Sequence, residues 1–160
     1  VKAITLTQPW ATLVALGAKR FETRSWRPRH LGPIAIHAAR SVPGWVEDVA
    51  ARPVFRRHLG SRTLASLPRG QVIAVADLLW AESTDSVELP ELLTRLGGPD
   101  EWEFGDYSPG RWAWFLAGVT PLPEPVPARG ALGLWEWTPP NESELSGVEV
   151  PRAARRGGAR

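Results

Sequence analysis

Residues 3–26 read AITLTQPWATLVALGAKRFETRSW, and the order of elements in this stretch decides the fold. Ala3 to Leu6 is apolar enough for a short strand. Pro9 suits the first turn of a helix, where its missing N–H costs nothing. Trp10, Leu13, Val14 and Gly17 follow helical spacing, and Gly17 is a natural C-terminal stop. A second strand then runs from about Arg20 to Ser25. Strand, helix and strand within so few residues open a mixed α+β architecture.

Working outward, GPIAIHAA (32–39) reads as a strand opened by Gly-Pro. Residues 43–59 carry helical signals that Pro53 interrupts, so a kink or two short helices are expected. QVIAVADLLW (71–80) is apolar on both parities and reads as a buried strand. PELLTRLG (90–97) is a short helix, and GPDEWEFGDYSPG (98–110) a long acidic, aromatic loop. RWAWFLAGV (111–119) is a strand, PLPEPVPARG an extended proline-rich segment, and GLWEW (133–137) a closing strand. Regular βαβ alternation is missing, which argues against a doubly wound parallel sheet. Five to six strands with interspersed short helices predict a strongly bent mixed sheet or small barrel over residues 1–138. Residues 139–160 read as a flexible, arginine-rich tail without apolar periodicity.

Composition bounds the chemistry. The chain has 160 residues, the size of one domain, with no cysteine. That excludes disulfides, thiolate catalysis and zinc-thiolate sites, and fits a reducing, cytoplasmic compartment. The histidines His30, His37 and His58 lack metal-ligand spacing, so neither a metal nor another cofactor is expected. No run approaches the ~18 apolar residues of a membrane helix, and VKAITLTQPW carries no signal-peptide pattern. No phosphate-cradling Gly-rich loop, G-x-S-x-G or H-E-x-x-H is present.

The net charge of +2 conceals its distribution. Arg152, Arg155, Arg156 and Arg160 crowd the last nine residues, and without them the chain is net acidic. Residues 19–40 hold Lys19, Arg20, Arg24, Arg27, Arg29 and Arg40 against Glu22 alone. Such a local patch suits a phosphate or polyanion; the bland alternative is a solvated arginine-rich surface. The acidic loop, opposite in sign, is a candidate lid over that patch.

Lysine occurs only at positions 2 and 19 of a chain that otherwise uses arginine. An ammonium is a compact charge that loses its proton when desolvated, whereas guanidinium effectively does not. Lys19 is therefore a candidate functional amine, reaching from the rim into a cleft. In a strand from Arg20, Glu22, Arg24 and Trp26 share one face. Gln8 offers an amide suited to a base edge, beside helix N–H groups that favour an anion. Trp10 either stacks on a base or fills the core. His37, flanked by Ala35 and Ala39, leaves room for a ligand or for another backbone. Asp77, inside an apolar strand, reads as a bulge, a buried partner for arginine, or a catalytic carboxylate.

The same residues carry a family resemblance. ITLTQPWATLVALGAKRFETRSW, GPIAIHAA and RWAWFLAGV…PVPARGALGLWEW resemble the ASCH domain of the PUA-like superfamily. Its G-x-K-x-x-E-x-R motif corresponds to Gly17, Lys19, Glu22 and Arg24. The resemblance implies a small β-barrel flanked by helices, with a cleft near the motif and RNA or a nucleotide-like small molecule as partner. Gln8, Trp10, Lys19, Glu22, Arg24, Trp26 and His37 are the expected cleft residues. Some bacterial members hydrolyse acetylcytidine with a G-x-K-x-x-T-x-R motif, and others are reported as ribonucleases. This chain has Glu22 in place of that threonine. Binding is therefore the first expectation, with hydrolysis of an acylated nucleoside or RNA by Lys19 and Glu22 as the alternative.

Overall fold

The computed structural model describes residues 1–140; the arginine-rich segment of the expected tail lies outside the described residues. Six strands form one sheet in the order β2-β5-β4-β3-β1-β6. They are β1 Lys2–Leu6, β2 Phe21–Arg24, β3 Gly32–Ala38, β4 Gln71–Ser83, β5 Trp112–Pro127 and β6 Leu134–Glu136. Only the β1–β3 pair is parallel. The sheet curls into a half-barrel, the mixed α+β form expected from the sequence. Register shifts between Ile36 and His37 and at three places along β4 bend it, because an extra unpaired residue kinks a strand. One of these shifts falls at Asp77, whose carboxyl burial pushes above the ordinary aspartate range.

The main core lies in the concavity of the sheet. Ile4, Leu6, Ile34, Ile36, Leu78, Trp114 and Leu116 meet Ala11 and Val14 from helix α1, Trp10–Ala15. Full burial of a large apolar side chain stabilises by roughly 1.5–3 kcal/mol, so this layer anchors the opening strand-helix-strand unit. A second cluster joins α1 to the helical segment that follows β3. Pro53 divides that segment, as its sequence predicts, into α2, Val46–Ala50, and α3, Pro53–Leu59. Leu13, Phe55, Leu59 and Phe104 fill the interface.

The structure corrects the sequence reading in three places. The acidic loop contains a short helix, α5 (Glu101–Phe104), whereas the helix expected over 90–97 is present, α4 (Leu89–Leu92) continuing in helical turns to Gly97. The proline-rich segment is not a separate extended run but the second half of β5, paired with β4 up to Pro127. Pro121 lies opposite Ala74 and Pro127 opposite Gln71, and the register breaks between them, so that Pro123 and Pro125 have no partner on β4 and interrupt no ladder. Beyond Leu116 the other side of β5 has no partner either, because β2 pairs only with Trp112–Phe115. Finally, α1 presents no anion-ready amides. Ala11 N–H donates to the Thr7 carbonyl and Thr12 N–H to Gln8 Oε1.

Candidate functional site

Gly17 positions the lysine. Its φ of 75° is the left-handed conformation that glycine adopts without strain. The reversed chain sends the N–H groups of both Ala18 and Lys19 back to the Leu13 carbonyl, at 3.0 Å each. Lys19 then points inward rather than in from the rim, and it is 1% exposed. Its ammonium donates to the Phe21 carbonyl and lies 3.3 Å from Glu22 Oε2. The other Glu22 oxygen accepts from Arg24 Nε at 3.0 Å, and Arg24 Nη2 donates to the Thr5 carbonyl at 2.8 Å. Lysine, glutamate and arginine thus form one rail from the core to β1, with each charge adjacent to an opposite one.

Behind this rail stands a residue that the sequence reading passed over. Glu101, 1% exposed, accepts from the N–H groups of Arg20 (3.1 Å) and Phe21 (2.8 Å). It braces the start of β2 instead of covering a patch. Burial pushes its carboxyl above the ordinary glutamate range, opposed by the Lys19 charge and the two amides. Asp100 is held below the usual carboxylate range by a hydrogen bond from His58, with Arg57 and His58 adding charge attraction. The acidic segment is therefore tied down at both residues. The signal that could have found Glu101 was its place one turn from Gly97 and Gly98, where a helix had room to start.

The rail forms one wall of a 570 Å³ cleft. Thr7 and Thr23 add hydroxyls to a floor that includes the Thr5 carbonyl, and Glu103 to Asp106 and Arg111 close one end. Another part of the lining is aromatic. Trp10 packs edge-on against Phe55 at 6.0 Å, and Trp45, 62% exposed, lies 6.1 Å from Trp10. Arg52 stands beside them. Among the lining residues four cations face three carboxylates, so the cleft is nearly neutral although it is densely charged. Such a pocket can hold a flat ring on the indoles and satisfy polar edges from the rail.

Lys19, Glu22, Arg24 and Trp10 meet in this cleft, joined by Trp45, Arg52 and Arg111, which the sequence reading did not single out. Trp45 looked like a core residue of a helix; it stands just ahead of α2, facing out. Three other expected residues are elsewhere. Gln8 is fully buried, its amide bridging the Pro68 carbonyl and Thr12 N–H. Trp26 packs edge-on against Trp114 at 4.7 Å and accepts that indole's N–H at its carbonyl. His37 lies on the far side of Thr5, at the edge of a second cavity, with the backbone of Gly130 against its ring. The basic run of residues 19–40 is dispersed as well: Arg20 reaches the Leu96 carbonyl, and Arg27 sits 5.2 Å above Trp112. Among the described residues no cluster of His, Asp and Glu could hold a metal, and no helix is long and apolar enough to cross a membrane.

Comparison with solved structures finds the same fold. The crystal structure of ASCH from Zymomonas mobilis superposes with a TM-score of 0.53 at 18% identity, covering 92% of this chain and 94% of that one. A mutant form of the same protein gives 0.50 at 19% identity, covering 92% and 96%. No curated protein matches. The ASCH domain profile matches residues 4–113, which span the motif, the residues lining the cleft and the first four strands. The chain belongs to the ASCH domain family.

Proposed function

We propose that the cleft binds RNA or a modified nucleotide. One observation carries this reading: the neighbouring indoles Trp10 and Trp45 and the polar rail Lys19–Glu22–Arg24 line one and the same cavity of 570 Å³. Base–aromatic stacking contributes about 1–3 kcal/mol per base. Glu22 and the threonine floor accept or donate to base edges, and Arg52 and Arg111 at the ends attract a phosphate. Membership of the ASCH family supports a nucleic-acid or nucleotide ligand.

The test is fluorescence anisotropy of a labelled single-stranded RNA against wild type and Trp45→Ala. Trp45 is exposed, so its removal leaves the core intact. Binding weakened about 10-fold or more is expected, from one lost stack. Wild-type binding that Trp45→Ala leaves unchanged would refute the aromatic wall as the platform.

A hydrolytic reading rests on the 3.3 Å contact between Lys19 and Glu22 at the same cleft, an acid/base pair within reach of a bound water. It predicts turnover of an acylated nucleoside or of RNA that Glu22→Gln abolishes. Binding without turnover of either substrate removes it.

A further inference from the structure

A second cavity, of 1120 Å³, opens on the other side of Thr5. Its mouth is set by Arg40 after β3, Arg69 before β4 and Arg129 after β5. All three are exposed, and no carboxylate is among the described residues lining it. None of the described ion pairs involves them. Arg69 makes only a 3.5 Å contact to the Leu64 carbonyl. The contrast with the cleft is one of charge: there cations and anions nearly cancel and indole and phenyl rings are part of the lining, whereas here, among the described lining residues, no carboxylate accompanies the arginines and the imidazole of His37 is the one aromatic ring.

Thr5 joins the two. Its carbonyl accepts from Arg24 in the cleft, and its hydroxyl is the floor of the second cavity. The floor is rigid. Trp135 Nε1–H donates to Thr5 Oγ1 at 3.1 Å, and Thr5 Oγ1 meets His37 Nδ1 at 3.2 Å. His37 Nε2–H donates to the Ala128 carbonyl at 2.9 Å, which leaves Nδ1 to accept the threonine proton. A Cβ on Gly130 would lie 2.7 Å from the His37 ring, so the loop carrying Arg129 packs directly on this network.

We propose that the second cavity is a phosphate-binding subsite for the backbone of the same single-stranded RNA whose base occupies the cleft, with Arg40, Arg69 and Arg129 as its contacts. The inference rests on the reading of the cleft as a base site. It names the ligand as a strand rather than a free nucleoside, because only a strand spans both cavities.

The experiment measures the salt dependence of affinity for a labelled single-stranded RNA octamer. Wild type is compared with the triple variant Arg40→Gln/Arg69→Gln/Arg129→Gln and with Trp45→Ala, thermal melts confirming folding. Each phosphate contact to a single strand adds about 0.7 to the slope of log affinity against log salt. Loss of three lowers its magnitude by about 2, and affinity at low salt falls at least 10-fold. Trp45→Ala weakens binding without changing the slope. An unchanged slope in the triple variant, with Trp45→Ala still weakened, overturns the subsite and leaves the cleft. A lowered slope with no effect of Trp45→Ala overturns the cleft as the base site while retaining the phosphate contacts. Absence of RNA binding by wild type overturns both.

Discussion

The Lys19–Glu22 pair should behave unequally when its members are removed singly. Their charges are 3.3 Å apart, and both side chains are nearly out of solvent. At an effective dielectric of ~20 the attraction is about 5 kcal/mol, offset by several kcal/mol of desolvation for each ion. Glu22→Gln leaves the ammonium buried with the Phe21 carbonyl as its remaining bond, a loss of about 3–5 kcal/mol. Lys19→Met removes the buried cation and fills its volume, while Glu22 keeps Arg24 at 3.0 Å; about 1 kcal/mol is expected. In Lys19→Met/Glu22→Gln no cation is stranded. The double variant should therefore be more stable than the sum of the singles predicts, by about 2–3 kcal/mol. Urea unfolding at pH 7, followed by tryptophan fluorescence, reads all four corners of the cycle. Additivity within about 0.5 kcal/mol, or a Lys19→Met loss equal to that of Glu22→Gln, would refute the rail as an electrostatic unit.

Two further outcomes follow from buried groups. The folded state raises the carboxyl of Glu101 above its unfolded value, so folding favours the protonated form. Its contribution is largest below the ordinary glutamate range and declines as pH rises through the folded value. Wild-type stability relative to Glu101→Gln should fall as pH is raised from 4 to 8 (about the range that spans both forms), measured by denaturant unfolding at each pH. A relative stability that climbs instead would contradict burial as the dominant cause. Gly130→Ala places a methyl 2.7 Å from the His37 ring and 2.8 Å from Thr5 Oγ1. Overpacking of this kind costs about 1–3 kcal/mol, and a melting temperature within 1 °C of wild type (about the shift of a few tenths of a kcal/mol) would mean that the loop moves aside freely.

How much was legible depended on whether the signal was local. The opening strand-helix-strand unit, the division at Pro53 and the buried strand at 71–80 are periodicity and punctuation, and the chain shows them directly. The continuation of β5 through four prolines was not legible, because proline reads as a strand breaker. Only the break in register with β4 and the absence of a neighbour beyond Leu116 make those positions harmless. In the site, the meeting of Lys19, Glu22 and Arg24 followed from one turn and one strand. Gln8 and His37 have the right chemistry for a ligand, but their polar atoms are satisfied by Pro68, Thr12, Thr5 and Ala128, all distant in sequence except Thr12. Trp45 lies outside and Glu101 inside, against the usual preference of an indole and a carboxylate, since which residues of a short helix and its cap face the core is decided by tertiary neighbours.

The alternating prolines of β5 also determine how this sheet meets other chains. A half-barrel leaves edges open, and an open edge is a template for a further strand. Here the long edge, residues 117–127, offers no amide donor at four positions in alternation. The remaining outer strands, β2 and β6, are only four and three residues long. Neither offers the ladder that stacking of copies would need.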